Sequence, residues 1–259
     1  MKIGISKSFF DDLREIIEQK NEHKAKEILR ELHPADIAEI YTELDIEEAK
    51  FLFLLLDPEM GADVVAELEE DDRERFLSAL PGDVIARNFI DYMDSDDAAD
   101  AIADLSEEKR VEVLSLLEDV EQAGDIVDLL HYDENTAGGI MAKELISVLD
   151  SWTIETCLKE IRKQGEYIDD VYYIYVVNND NVLQGILSLK KLLLKDPSDL
   201  ISAAMDTNVI SVNEDTDDEE VAAIMEKYNL VALPVVDDIN RLVGRITIDD
   251  IVDVIREEA

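Results

Sequence analysis

Apolar positions in residues 1–131 recur at helical spacing and almost never alternate. Leu29, Leu32, Ile37, Ile40 and Leu44 fall three to five apart, and Ala62, Val65, Ala66 and Leu68 behave alike. That period predicts amphipathic helices. The breakers are periodic too. Leu32-His33-Pro34, Leu56-Asp57-Pro58 and Leu80-Pro81 stand 24 residues apart. Each is followed by a new amphipathic segment: ADIAEIYTEL, ADVVAEL and DVIARNFIDYM. Proline near a helix start and short polar turns are what stacked helical hairpins need. DDAADAIADL and AGDIVDLL continue the theme less regularly. The pattern predicts a small superhelical repeat domain over residues 1–131, in which stacking supplies the core that one repeat lacks.

Residues 136–257 have a different pattern. Val171–Val177 (VYYIYVV) and Ala232–Val236 (ALPVV) are β-branched or aromatic runs that end in polar turns. They predict strands. Each leads to a second apolar run, Leu183–Leu189 or Leu242–Ile248, and then to a helix.

The two stretches repeat one another. Met141 lies seven residues before Val148, and Met205 seven before Val212. ISVLDSWTIETCLKEI aligns with ISVNEDTDDEEVAAIM without a gap. Val177 precedes Gly185 by eight, and Val236 precedes Gly244 by eight. Only the segment between helix and strand differs, being five residues longer in the first copy. So many anchors mark a duplicated α/β unit. The expected boundaries are 132–199 for the first copy and 200–259 for the second.

Charge narrows the function. Among 259 residues, 64 Asp and Glu stand against 24 Lys and Arg, a formal net charge of -40. Phosphate neutralisation needs a basic stripe, so nucleic acid is not the expected partner. Yet 47% of residues are hydrophobic, with only 9 Gly and 5 Pro, so the chain can bury a core. Like charges ~4 Å apart repel by about 4 kcal/mol at an effective dielectric near 20. A compact state with this composition favours counterions, divalent ones above all, or else a well-solvated acidic surface. Residues 94–134 are the extreme: fifteen acids stand against Lys109 and Arg110 alone. Asp96, Asp100 and Asp104 are four apart, on one helix face, where like charges destabilise an isolated helix.

The single cysteine, Cys157, rules out an intramolecular disulfide framework and fits a reducing compartment as a small buried residue. No secretory signal opens the chain, and its longest apolar runs, Phe51–Leu56 and Val171–Val177, fall far short of the ~20 residues that span a bilayer. The chain as given is expected to be soluble. Catalytic signatures are missing: no Gly-x-Gly-x-x-Gly, no phosphate-loop Gly-Lys-Ser/Thr and no HExxH. His23, His33 and His131 all lie in the helical half, and His33, before Pro34, reads as a packing or capping residue. An enzyme is not expected.

The duplicated unit resembles a tandem pair of CBS domains, β-α-β-β-α modules that pack as an intramolecular pair. Gly244-Arg245-Ile246-Thr247-Ile248-Asp249-Asp250 matches that family's adenosyl-nucleotide fingerprint. The resemblance implies that Thr247 and Asp250 bond a ribose. Gly185-Ile186-Leu187-Ser188-Leu189-Lys190-Lys191 departs from it, with lysine at the acidic position. The order of parts is more specific still. An acidic helical repeat, then TAGGIM, then two CBS-like units resembles the cytosolic region of MgtE-type magnesium channels. YDENTAGGIM (132–141), VYYIYVV (171–177) and TDDEEVAAIMEKYNLVALPVVD (216–237) carry the likeness. The helical repeats are also similar, more generally, to the middle region of the flagellar switch protein FliG.

The MgtE resemblance implies an α-helical domain plus a CBS pair at the cytoplasmic face of the cell membrane. The chain stops at DDIVDVIREEA, where a connecting plug helix and a pore would follow, so it is expected to be a sensor without its pore domain. It implies a homodimer through the CBS domains. It implies Mg2+ at Asp63, Asp96, Asp100 and the backbone of Gly139 in the first half. In the second CBS unit it implies Asp217, Glu219, Glu226, Asn229, Asp250 and Asp253, with Glu258 near the plug. The family often has an acid where Asn229 stands, and uses the position of Glu226 through its backbone.

Physical chemistry points the same way. Mg2+ takes oxygen ligands, sheds water reluctantly and is usually held by one or two carboxylates plus waters. Scattered acids without an EF-hand loop suit it, and no such loop is present. The expected mechanism is electrostatic gating, in which Mg2+ bridges acidic residues of the helical and CBS domains and favours a compact, pore-closing state. The alternatives are an adenine-nucleotide-sensing CBS module that binds ATP or a related nucleotide, and a FliG-like scaffold for a partner protein.

Overall fold

The structure is a computed structural model and describes residues 7–164 and 171–257. It divides into two compact units, with the boundary between Ile126 and Val127.

The first unit is helical. It comprises α1 (Lys7–Glu18), α2 (Glu22–Leu29), α3 (Pro34–Tyr41), α4 (Ile46–Phe53) and α5 (Pro58–Ala66). There follow α6 (Glu70–Ser78), α7 (Gly82–Asn88), a 3-10 turn at Ile90–Tyr92, α8 (Ser95–Ala103) and α9 (Glu107–Leu114). Helix α10 (Val120–Leu129) carries the chain into the second unit.

The sequence period is visible as capping chemistry. Helices α3, α5 and α7 begin at residues 34, 58 and 82, and each entry is shaped by proline. Pro34 and Pro58 occupy the first helical turn, where a missing N–H costs nothing, and Pro81 is the N-cap of α7. His33 caps α3, its Nδ1 accepting from the Ala35 N–H at 3.3 Å. The hairpin partner α4 begins with a capping box, in which Asp45 accepts from Glu47 and Glu48 while Glu48 accepts from the Asp45 N–H. The period therefore marks a helix-turn-helix repeat. Helix α3 packs on α5, α5 on α7 and α7 on α9, while α4 packs on α6.

One file of rings runs through that stack. Tyr41 lies 5.8 Å from Phe53, Phe53 5.1 Å from Phe76, and Phe76 5.7 Å from Phe89, centroid to centroid. All four are buried. Burying each such side chain is worth about 1.5–3 kcal/mol, so this file is a main source of cohesion between repeats.

The second unit contains two three-stranded sheets. The first has β1 (Ile146–Leu149), β2 (Ile174–Val177) and β3 (Leu183–Leu187), with α11 (Ile154–Gln164) between β1 and β2. Helix α12 (Leu189–Leu194) and the short α13 (Ile201–Ala204) lead to the second copy. There β4 (Val212–Asn213), α14 (Asp218–Tyr228), β5 (Ala232–Val236), β6 (Leu242–Thr247) and α15 (Ile248–Glu257) follow the same order. In each sheet the first pair is parallel and the second antiparallel. Both hairpins shift register at equivalent places, Val176/Val177 and Val235/Val236.

Strand β5 matches its predicted run Ala232–Val236, whereas the other three predicted runs are trimmed. Strand β2 starts at Ile174 instead of Val171, and β3 and β6 end at Leu187 and Thr247. Ser188 ends β3 because its Oγ accepts from the Lys191 N–H and starts α12. Cys157 is buried in the core of the first copy, against Ile146, Ile174 and Leu187. Burial pushes its thiol up to about 11.

Candidate functional site

The two copies complete each other. Ala142 exchanges backbone bonds with Arg245 of the second copy, at 2.8 and 2.9 Å. Asp206, 64 residues on, makes the equivalent exchange with Ile186 of the first copy, at 2.8 and 3.0 Å. Thus the leader segment of each copy adds to the sheet of the other. Thr136 bridges to Asp217 and, symmetrically, Leu200 to Thr153. The hairpin tips meet on the symmetry axis: Leu183 donates to Asn240 and Leu242 to Asn181, each at 3.0 Å. Asn181 and Asn240 both have positive φ, 61° and 63°, which asparagine tolerates in tight turns.

Glycine is required where the leaders cross. A Cβ on Gly244 would lie 2.6 Å from Met141 Sδ and 2.9 Å from the Ala142 carbonyl. One on Gly185 would lie 2.8 Å from Met205 Sδ and 2.8 Å from the Asp206 carbonyl.

The fingerprint residues stand where β6 becomes α15. The Thr247 N–H donates to Asp250 Oδ2 at 2.7 Å, and the Thr247 hydroxyl approaches both Asp249 and Asp250. Asp250 is therefore the acceptor three residues into a helix start, not its N-cap. Burial, reinforced by the charge of Asp249, pushes its carboxyl up to about 7 against the pull of the Thr247 bonds. In either protonation state it offers acceptor oxygen to the hydroxyls of a sugar diol.

The expected magnesium residues fall into three groups. In the first unit, Asp96 and Asp100 lie one turn apart on α8, and Asp63 is exposed on α5, which packs against α8. Asp104 does not extend that series, because it is the C-cap of α8 and pairs with Arg73.

The second group surrounds α14. Asp217 is its N-cap but makes no side-chain capping bond, and Glu219 is exposed in the first turn. Gly139 belongs to the segment bound there. The Ala137 and Gly138 N–H groups donate to Thr216 and Glu214 at 2.7 and 2.8 Å. A side chain at Gly139 would collide with the Asp133 carbonyl. Tyr132 secures the same segment by donating to Glu214 at 2.7 Å. Glu226 and Asn229 lie at the other end of α14, roughly 15 Å away at helical rise. There the Glu226 carbonyl accepts from Asn229, which is left-handed at φ 52° and ψ 49°.

The third group is α15, with Asp250 at its start. Asp253 lies further along the helix. Glu258 falls outside the described residues. Every side-chain donor in the three groups is oxygen, and Asp63, Asp100, Asp217 and Glu219 face solvent. Such a set suits an ion that keeps part of its water shell.

Sequence reasoning missed two buried groups. Arg245, 6% exposed, directs its Nε to the Glu144 carbonyl. Tyr175, 1% exposed, sits in the cluster joining the copies with Val177 and Leu242. The available signal was an arginine inside the apolar run LVGRIT.

Comparison with known proteins decides the family. The MgtE intracellular N domain matches residues 32–135, and the CBS domain matches residues 137–197 and 198–257. A solved soluble part of a magnesium transporter shares 33% identity at a TM-score of 0.84, over 96% of this chain and 98% of that one. The chain belongs to the MgtE family.

A second MgtE structure, the cytosolic domain of the Mg2+ channel in complex with ATP, gives a TM-score of 0.87 at 33% identity. It covers 93% of this chain and 98% of that one. The magnesium transporter MgtE of Thermus thermophilus is 34% identical over 95% of this chain and 55% of its own length. The chain spans about half the length of the curated relatives it matches. It corresponds in fold and extent to the cytosolic part of such transporters. Among the described residues no helix is long and apolar enough to cross a membrane.

Proposed function

We propose that this chain is the Mg2+-sensing regulatory region of an MgtE-type magnesium transporter. The observation that carries the reading is end-to-end similarity to the cytosolic part of such a transporter. The acidic groups on α5, α8, α14 and α15 give it a physical basis. At low Mg2+ the carboxylates of the two units repel. At high Mg2+, ions bind at separate sites: at Asp63, Asp96 and Asp100; at the start of α14 with Asp217, Glu219 and the backbone oxygen of Gly139; at its far end with the backbone oxygen of Glu226 and the amide of Asn229; and at Asp250 and Asp253 of α15, with Glu258 a further ligand by family likeness. Neutralised acids then allow a compact, pore-closing state, in a homodimer formed through the CBS units. A switch from 1:99 to 99:1 needs only ~5.5 kcal/mol of differential binding, which a few such sites supply.

Small-angle X-ray scattering of the fragment tests this as Mg2+ rises through the millimolar range against NaCl of equal ionic strength. A radius of gyration that falls with Mg2+ alone supports the reading. Equal compaction by both salts reduces it to charge screening. The Asp96→Ala/Asp100→Ala variant should compact only at higher Mg2+.

A second reading has its own support. Thr247 and Asp250 stand together at the start of α15, where hydroxyl and carboxylate oxygens could meet a diol, and the similar Mg2+ channel domain was solved with ATP. An adenine nucleotide bound at the CBS pair would be a second signal. Saturable ATP binding that Asp250→Ala abolishes would establish it.

A further inference from the structure

The stretch YDENTAGGIM (132–141) does more than supply Gly139. It closes a tight turn. The Thr136 N–H and hydroxyl both donate to the Asp133 carbonyl, at 3.1 and 2.7 Å, and the Gly139 N–H donates to the Thr136 carbonyl at 2.9 Å. The turn is laid as a strap on the entry to α14. Beside the bonds from Ala137 and Gly138, the Asp218 N–H donates back to the Asn135 carbonyl at 3.2 Å. Ala137 and Gly138 are buried in the strap.

Those three bonds run between backbones, and almost any residues could make them. They do not choose which strap residue meets which residue of 214–218. A slip of one position carries an extended chain about 3.3 Å. Mg2+ holds its oxygens at about 2.1 Å and tolerates little departure. The Gly139 oxygen therefore serves an ion only where the register is fixed.

Tyr132 is the side chain that fixes it. Its hydroxyl donates to Glu214 Oε2 at 2.7 Å, while the carbonyl of Glu214 accepts from Gly138 at 2.8 Å. Its ring lies against Gly138, where a Cβ would run into it. Gly138 has no positive φ, so glycine is required there for space and not for backbone conformation. The two contacts specify one register, with glycine at the ring and Glu214 at the hydroxyl. Burial, and then the bond to Glu214, pushes the phenol above its ordinary range, which keeps the hydroxyl a donor.

We propose that Tyr132 is a positioning residue for the ion site at the start of α14. Its ring on Gly138 and its hydroxyl on Glu214 set the register of the strap, and with it the place of the Gly139 oxygen relative to Asp217 and Glu219. This rests on the Mg2+-sensing reading above and adds what organises one of its sites.

Hydrogen exchange of the whole chain, followed by mass spectrometry as Mg2+ is raised, tests it at two places: the strap, 132–141, and α8. In the parent, Mg2+ should slow exchange at both. Tyr132→Phe keeps the ring and loses the donor. Without Mg2+ its strap should exchange about tenfold faster, as expected when one hydrogen bond to a charged group is lost. Its strap should also need at least about threefold more Mg2+ for protection, while α8 keeps the parent's requirement. Gly138→Ala, which displaces the ring, should act in the same direction. Glu214→Gln retains an acceptor for the hydroxyl, so its strap should exchange as in the parent when Mg2+ is absent.

An unchanged Mg2+ requirement at the strap in both Tyr132→Phe and Gly138→Ala overturns the proposal and leaves the Tyr132 contacts purely structural. Protection of α8 but never of the strap in the parent also overturns it, with the sensing reading still standing. Absence of Mg2+ protection at both places removes the two together.

Discussion

Arg73 Nε lies 2.7 Å from Asp104 Oδ2, with the two side chains only 12% and 8% exposed. This buried pair ties α6 to the end of α8, the helix that carries Asp96 and Asp100. Taking two charges out of water is expensive, so the pair is weak evidence of net stabilisation. Breaking it is a different matter, because one buried charge then loses its counter-charge. Arg73→Met should destabilise the helical unit by about 3–5 kcal/mol, whereas Arg73→Met/Asp104→Leu should recover most of that loss. Urea unfolding followed by far-ultraviolet dichroism checks both variants. A single variant as stable as the parent would show that water reaches Asp104.

The crossing of leader segments at Gly185 and Gly244 predicts a matched pair of lesions. In each case an added Cβ meets a backbone carbonyl and the methionine of the other copy's leader within 2.9 Å. The methionine can move, but the carbonyl is fixed by the Ala142–Arg245 or Asp206–Ile186 exchange. Gly185→Ala and Gly244→Ala should each cost roughly 1–3 kcal/mol, as overpacking does. Thermal unfolding of the two variants should therefore shift similarly. A large effect at one site alone would mean that the two crossings are not equivalent in strength.

Much of this architecture was legible in residues. The 24-residue spacing of proline turns marked the starts of α3, α5 and α7, because proline at a helix entry acts locally. The gap-free internal match marked the paired α/β units, and Met141 and Met205 marked their leaders. What the pattern could not show is long-range pairing. Nothing in the sequence says that Met141 packs on Gly244 and not on Gly185, since both have the same neighbours. For the same reason Asp104 read as one of three acids on a face, although a helix 31 residues earlier supplies its partner. Tyr175 and Arg245 stayed hidden because a polar atom in an apolar run reveals its burial only once the strands are paired. The metal candidates came from family likeness and not from local pattern, as exposed acids look alike in a chain this acidic.

Asn229 separates a ligand role from a conformational one. It stands in the left-handed region at the end of α14, where its N–H caps the Glu226 carbonyl. Glycine adopts that conformation freely and asparagine more readily than most residues. Asn229→Gly should therefore leave stability nearly unchanged while deleting the side-chain oxygen. Asn229→Val should cost about 1–2 kcal/mol through backbone strain. If the side chain is a magnesium ligand, the glycine variant will need more Mg2+ to compact in scattering experiments while its urea midpoint stays put. An unchanged Mg2+ response in that variant leaves Asn229 as a helix terminator alone.

Asp250 predicts how the CBS pair responds to pH. Its carboxyl is pushed from 3.8 up to about 7, chiefly by burial. A raised folded value means that the fold favours the protonated acid. The associated stabilisation is complete below about pH 4 and is lost as pH rises through 7. At about 1.4 kcal/mol per unit, the full swing is a few kcal/mol at most. Asp250→Asn keeps the shape without the titration, so it should flatten this part of the profile. Between pH 5 and 8 the parent should lose stability relative to that variant, seen as a growing gap in melting temperature. The same ionisation bears on ligands. The neutral acid adds no negative charge beside a nucleotide's phosphates, whereas the ionised acid attracts a cation, so rising pH should weaken nucleotide binding and strengthen Mg2+ binding at α15. Opposite pH trends for the two ligands would establish that Asp250 serves both, and parallel trends would assign the pH dependence to other groups.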